Sequence, residues 1–122
     1  MPNPVVHFEA IGPDGPKLIG FYGDAFGWNI NADNPMGYGM VDNGGDGING
    51  GIGQAPPDGS GQHLTFYVQV DDLDAALAKI ESLGGKTINP PMELPDGGPK
   101  LAHFEDPAGN FVGLTEPWEA QA

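Results

Sequence analysis

Gly47-Ile48-Asn49-Gly50-Gly51-Ile52 lies over Gly109-Asn110-Phe111-Val112-Gly113-Leu114 at an offset of 62 positions. Two short glycine-rich strands of the same build, so far apart in one chain, mark an internal repeat. Phe26-Gly27 likewise matches Leu83-Gly84 at an offset of 57, and His7 matches Thr65 at 58. The text between these anchors repeats as well. Val5 to Ile11 alternates with period two and reads as a first strand. The Gly12 to Pro16 turn leads into Leu18, Phe21, Tyr22, Ala25 and Phe26 at helical spacing, and Gly27 is placed to end that helix. Trp28 to Ala32, Gly37 to Val41 and Ile48 to Ile52 read as three more strands. After Pro56-Pro57-Asp58-Gly59-Ser60-Gly61 the order starts again. His63 to Val70 is a strand, and Asp71 or Asp72 caps a helix with Leu73, Ala76, Leu77, Ile80 and Leu83 as its stripe. Lys86 to Ile88, Lys100 to Phe104 and Asn110 to Thr115 complete the set.

The pattern is βαβββ written twice, in one domain of 122 residues. Module one is expected over 4–55, a linker over 56–62 and module two over 63–117. Each module is too small to bury a face alone. The expected fold is therefore α+β, with two tandem modules forming a curved, open mixed sheet around a central small-molecule pocket.

Charge narrows the partners. Four basic residues against 17 acidic ones give a net charge of −13, which leaves nothing to drive phosphate-backbone binding, so nucleic acid and anionic membranes are excluded. All four basic residues are lysines, Lys17, Lys79, Lys86 and Lys100, so no arginine fork exists for a carboxylate or phosphate. Zero cysteines exclude disulfides, thiolate metal sites and cysteine nucleophiles. The opening Met1-Pro2-Asn3-Pro4 lacks the basic and apolar regions of a secretion signal, and no stretch approaches 18 apolar residues, so a cytoplasmic location is expected. No Walker-type phosphate loop and no Gly-x-Ser-x-Gly elbow occurs.

Val6-His7-Phe8-Glu9, Phe21-Tyr22, Phe26-Gly27-Trp28, Asn49-Gly50-Gly51-Ile52, Val70-Asp71-Asp72-Leu73-Asp74-Ala75-Ala76, Leu83-Gly84-Gly85 and Asp106-Pro107-Ala108-Gly109-Asn110 occur in this order. Together they resemble the vicinal oxygen chelate superfamily, the group of glyoxalases, bleomycin-resistance proteins and extradiol dioxygenases, from Val5 to about Glu116. The resemblance implies, for metal-dependent members, a divalent ion held from strands one, four, five and eight. Here those positions fall on His7, Gly51, Thr65 and Gly113. Glycine has no donor atom and a neutral threonine hydroxyl is a poor partner for such ions. No metal and no other cofactor is therefore expected.

His7 and Glu9 share one side of their strand and read either as a proton-handling pair, the candidate catalytic residues, or as an ordinary hydrogen-bonded pocket histidine and its neighbour. His103 and Glu105 repeat the spacing. Convergence of the two pairs would make a displaced metal site; otherwise one pair faces the pocket and the other water. His63 is placed to reach the rim. Thr65 and Tyr67 fall on the pocket side if Phe66, Val68 and Val70 pack under the helices. Trp28, Tyr38 and Met40 are expected to line the other half, or to be plain core. Gly51 and Gly113 are expected to leave room for a ligand against the backbone, and His103 completes the candidate ligand-binding set.

The expected function is metal-free binding or sequestration of a small molecule. The alternative is a lyase, isomerase or epimerase using His7 and Glu9 or a displaced metal. The glutathione conjugates of glyoxalase I carry carboxylates that this chain has no arginine to hold, so a neutral or cationic ligand is expected. A homodimer is the expected assembly.

Overall fold

The computed structural model describes residues 2–94 and 98–117. The chain runs β1 (Val5–Gly12), α1 (Gly15–Phe26), β2 (Asn29–Asn31), β3 (Gly39–Asp42), β4 (Gly50–Gln54), β5 (His63–Gln69), α2 (Leu73–Ser82), β6 (Lys86–Met92), β7 (Leu101–Glu105) and β8 (Phe111–Thr115). The fold is α+β, with the βαβββ order present twice. It forms two compact units, residues 6–66 and residues 2–5 with 67–117.

In the unit 6–66, β4 lies parallel to β1 and antiparallel to β3, which pairs with β2. Asp14 caps α1 by accepting from the Lys17 amide, and Gly27, at φ 71°, ends it in the left-handed region. Ala10, Val41 and Ile52 form the buried centre, with Phe8, Leu18, Ile19, Tyr22, Trp28 and Ile30 packed against it. This settles which side of β1 faces the helix: Phe8 and Ala10 do, so His7 and Glu9 point to the opposite face. The stripe on α1 is narrower than its spacing suggests. Leu18 and Tyr22 pack inward, whereas Phe21 and Phe26 are 61% and 62% exposed.

The second unit repeats the plan. β8 lies parallel to β5 and antiparallel to β7, and β7 pairs with β6. Asp72, not Asp71, caps α2 by accepting from the Ala75 amide. Val70, Leu73, Leu77, Ala102 and Leu114 make its core, with Val68, Ala76, Ile80 and Phe104 against them. Leu83 falls outside the helix as its cap residue and is exposed. Phe66, expected under a helix, is half-exposed and belongs to neither core. β6 runs on to Met92, past the end expected from its sequence, because Pro90 and Pro91 sit at a register irregularity where no ladder donor is required of them. The boundary between the units falls inside β5, between Phe66 and Tyr67. The opening residues join the second unit, where the Pro4 carbonyl accepts from the Gln69 amide at 2.9 Å.

The repeat offsets reappear as strand register. Glu9 stands beside Gly51 in the first unit and Tyr67 beside Gly113 in the second. Each row continues outward on the same face: Met40 and Asn31 follow Gly51, and His103 and Asn89 follow Gly113.

Candidate functional site

The face of the first unit's sheet opposite α1 carries a connected polar chain. The Tyr38 hydroxyl lies 2.9 Å from His7 Nε2 and donates to Glu9 Oε2 at 2.8 Å. A phenol has one proton to give. Since that proton goes to the carboxylate, Tyr38 accepts from His7, which fixes the histidine as the Nε2–H tautomer. Glu9 Oε1 lies 2.8 Å from His63 Nε2, and His63 Nδ1 donates to the Gly61 carbonyl at 2.8 Å. Both nitrogens of His63 therefore face acceptors, so the pair holds its proton either as an imidazolium beside a carboxylate or on Glu9 itself. The side chains of His63 and Glu9 remain 21% and 13% exposed; the group is sheltered yet reachable.

Tyr38 is positioned by turn chemistry. Asn34 accepts from the Tyr38 amide at 3.0 Å and donates to the Tyr38 carbonyl at 2.6 Å, which clamps the residue on both sides of its backbone. The ring then passes over Gly51. A Cβ built on Gly51 would overlap the Oη and Cζ of Tyr38.

Burial holds the pKa of His7 below its ordinary value of 6.5, and the Glu9 charge opposes that shift only in part. The unfolded chain therefore binds more protons than the folded one just below pH 6.5, and stability falls on acidification through that window. Urea unfolding at stepped pH is expected to show this loss, and His7→Gln is expected to flatten the curve there. An unchanged slope in the variant would assign the acid sensitivity elsewhere.

The second unit holds a quieter counterpart. Asn89 Nδ2 donates to His103 Nδ1 at 3.0 Å, leaving His103 Nε2–H to donate to the Tyr67 hydroxyl at 2.7 Å. His103 also stacks on Phe111, with ring centroids 4.7 Å apart. Tyr67 and His103 are buried, and the Tyr67 ring covers Gly113.

Several expected residues lie elsewhere. Trp28 packs among Phe8, Tyr22 and Phe26 on the helix side, away from His7 and Glu9, because its ring completes the core there. Gly51 and Gly113 do not leave room for a ligand against the backbone, since tyrosine rings fill both places. Tyr67 offers no open ring or hydroxyl: it is 6% exposed and bonded to His103. Tyr38 stands between Glu9 and His7 and bonds to both, so the expected pair includes a third member. Met40 is half-exposed on the Glu9 face, as expected, and Thr65 is buried. His103 is not paired with water at a strand end but enclosed.

The ion implied by the resemblance does not fit these residues. Gly51 and Gly113 have no donor, their side-chain volumes are taken, and His7 Nε2 already serves Tyr38. Among the described residues no three His, Asp or Glu side chains are grouped to hold a metal, the displaced His7, Glu9, His103 and Glu105 set included.

Asn34 and Asn89 escaped the sequence reading. The Asn34-Pro35 dipeptide signals a turn, but what the turn aims is visible only in three dimensions. No helix among the described residues is long and apolar enough to cross a membrane.

Comparison with known proteins gives concordant results. The profile of the Glyoxalase/Bleomycin resistance protein/Dioxygenase superfamily matches residues 5–114. A curated relative, "Putative glyoxylase CFP32" of Mycobacterium tuberculosis, is 32% identical over 108 residues, covering 82% of this chain and 39% of the relative. The chain thus spans about two fifths of that relative's length. Among solved structures, methylmalonyl-CoA epimerase from Mycobacterium tuberculosis superposes with a TM-score of 0.68 at 18% identity, covering 96% of this chain and 89% of that one. A hypothetical protein from Bacillus halodurans C-125 superposes with a TM-score of 0.72 at 14% identity, covering 98% and 97%.

Proposed function

Since the chain belongs to the Glyoxalase/Bleomycin resistance protein/Dioxygenase superfamily, we propose that it binds a neutral or cationic organic small molecule on the face bearing His7, Tyr38, Glu9 and His63, with no metal at the superfamily's ligand positions. The observation that carries this reading is the partly exposed Glu9 carboxylate, held in place by Tyr38 and His63. Held at a set position and partly exposed, the carboxylate presents a fixed acceptor of negative charge to an N–H or a cationic group of a ligand. The half-exposed Met40 in the same row supplies an apolar contact. Lys17, the one lysine in residues 6–66, sits on α1 across the sheet, so no lysine of this unit meets an anion on this face. The net charge of −13 adds long-range repulsion at low salt.

A second reading is proton transfer of the isomerase, epimerase or lyase kind. It is favoured by one observation, the unbroken order His7, Tyr38, Glu9, His63. In that reading His7 and Glu9 are the catalytic residues and Tyr38 relays between them.

Calorimetric titration with a panel of neutral and cationic aromatic compounds, beside dicarboxylates and an assay of lactoylglutathione formation, tests both. Saturable binding confined to the neutral and cationic members is expected. Tight binding of a dianion, or efficient glyoxalase turnover, would overturn the first reading. A cytoplasmic homodimer completes the proposal, and sedimentation showing only monomer at tens of micromolar would remove the dimer from it.

A further inference from the structure

We propose that glycine and tyrosine together replace the superfamily's metal-ligand side chains on β4 and β8, and that the Tyr38 phenol is a plug standing where a divalent ion would meet His7 and Glu9. The inference deepens the reading of this face as a metal-free binding surface, and it is tested with metal alone, so it stands or falls without any organic ligand.

Two independent occurrences support it. On β4 the ring over Gly51 comes from Tyr38, brought in by the Asn34 clamp from the segment before β3. On β8 the ring over Gly113 comes from Tyr67, which is a residue of β5 itself. The two tyrosines do not correspond in the repeat, since Tyr67 matches Glu9 in register. The same arrangement of a tyrosine ring over a strand glycine is therefore built in two different ways. In both cases the phenol oxygen also takes a histidine Nε2 as its partner, His7 at 2.9 Å and His103 at 2.7 Å.

The first centre is the one that could hold an ion if opened. His7 Nε2 and Glu9 Oε2 lie 2.9 and 2.8 Å from the same phenol oxygen. Ion bonds to nitrogen and oxygen are about 2.0–2.2 Å long, so both donors would need only to close in by roughly 0.7 Å on an ion at that point. The third donor is missing at the strand-four position that the resemblance implies, where Gly51 stands directly beside Glu9. Tyr38 thus does two things at once: it occupies the ion's place and it orients Glu9 for a ligand, so that the face presents a carboxylate and a phenol instead of a Lewis acid.

The test uses the full chain and Ni²⁺, Mn²⁺ and Zn²⁺ chlorides in calorimetry, with Co²⁺ for its visible spectrum. Wild type is expected to show no saturable binding. Y38G/G51E is expected to bind roughly one equivalent, with a tetrahedral or octahedral Co²⁺ spectrum, and H7Q in that background to abolish it. Saturable binding by wild type that H7Q removes would overturn the proposal, as would a folded Y38G/G51E that binds nothing. If the double variant loses its near-ultraviolet circular dichroism, Y38G alone decides: weaker saturable binding that needs His7 and Glu9 supports the plug, and none overturns it. Long-range ¹H–¹⁵N spectra of wild type give a readout free of any variant. The Nε2–H tautomer is expected for His7 and is expected to persist when Zn²⁺ is added; saturable loss of that proton to Zn²⁺ would place an ion at Nε2 and overturn the proposal.

Discussion

Gly113→Val is expected to lower the unfolding free energy by about 3 kcal/mol, at the upper end of what overpacking a core costs. The reason lies in the neighbour. A Cβ at position 113 would overlap the Cδ2 and Cε2 atoms of Tyr67, and that ring has nowhere to retreat, since it is 6% exposed and its hydroxyl is held by the buried His103. Displacing it also breaks the bond to His103 and leaves a polar group enclosed without its partner, which adds to the cost. Urea denaturation measures the loss. Gly20→Ala is the matched control, because a Cβ there meets nothing within 4 Å and the position lies within α1, where alanine gains about 0.5–1 kcal/mol over glycine. Equal midpoints for Gly113→Val and wild type would show that Tyr67 is not packed as described.

Glu9→Gln is expected to weaken binding of a cationic ligand roughly tenfold to hundredfold, the range that follows from losing a hydrogen bond to a charged group. Two things change together. The carboxylate charge goes, and the amide offers one acceptor oxygen where Tyr38 and His63 had faced two. Glu105→Gln, on β7, serves as the control for net charge alone. Titration of the cation that binds wild type most tightly gives the answer. Equal losses in both variants would reduce Glu9 to a contribution to the long-range field, whereas a loss confined to Glu9→Gln makes it the recognising group.

The repeat was legible because register follows from spacing. The offset of 62 between Gly51 and Gly113 and that of 58 between His7 and Thr65 survive folding as the pairs Glu9 with Gly51 and Tyr67 with Gly113. The orientation of β1 was equally legible, since period two leaves one choice once Phe8 and Ala10 are known to be apolar. Tyr38 was not, beyond being a candidate lining residue. Its reach over Gly51 depends on a turn in which Asn34 bonds backbone atoms four residues on, and no periodicity encodes where such a turn aims its side chain. Reading Gly51 and Gly113 as open space failed for a related reason: a missing side chain says that something comes close, and only the packing says what. Trp28 illustrates the remaining ambiguity. An aromatic residue just after a helix cap suits a ligand wall or a core equally, and the neighbouring Tyr22 and Phe26 rings drew it to the core.

The seam between the compact units runs through the middle of a strand, and the first residues of the chain are stitched to the far side of it by the Pro4 carbonyl. A gene cut at the Pro-rich connection would thus yield two fragments that each lack something the other carries. The leading fragment would lose His63 and with it one of the two donors that hold Glu9; the trailing one would lose the partner of the Gln69 amide. Each half of the repeat therefore carries a part that the other half uses, and exchanging one half for that of another sequence at this point in the chain is expected to cost stability even where the two sequences look alike.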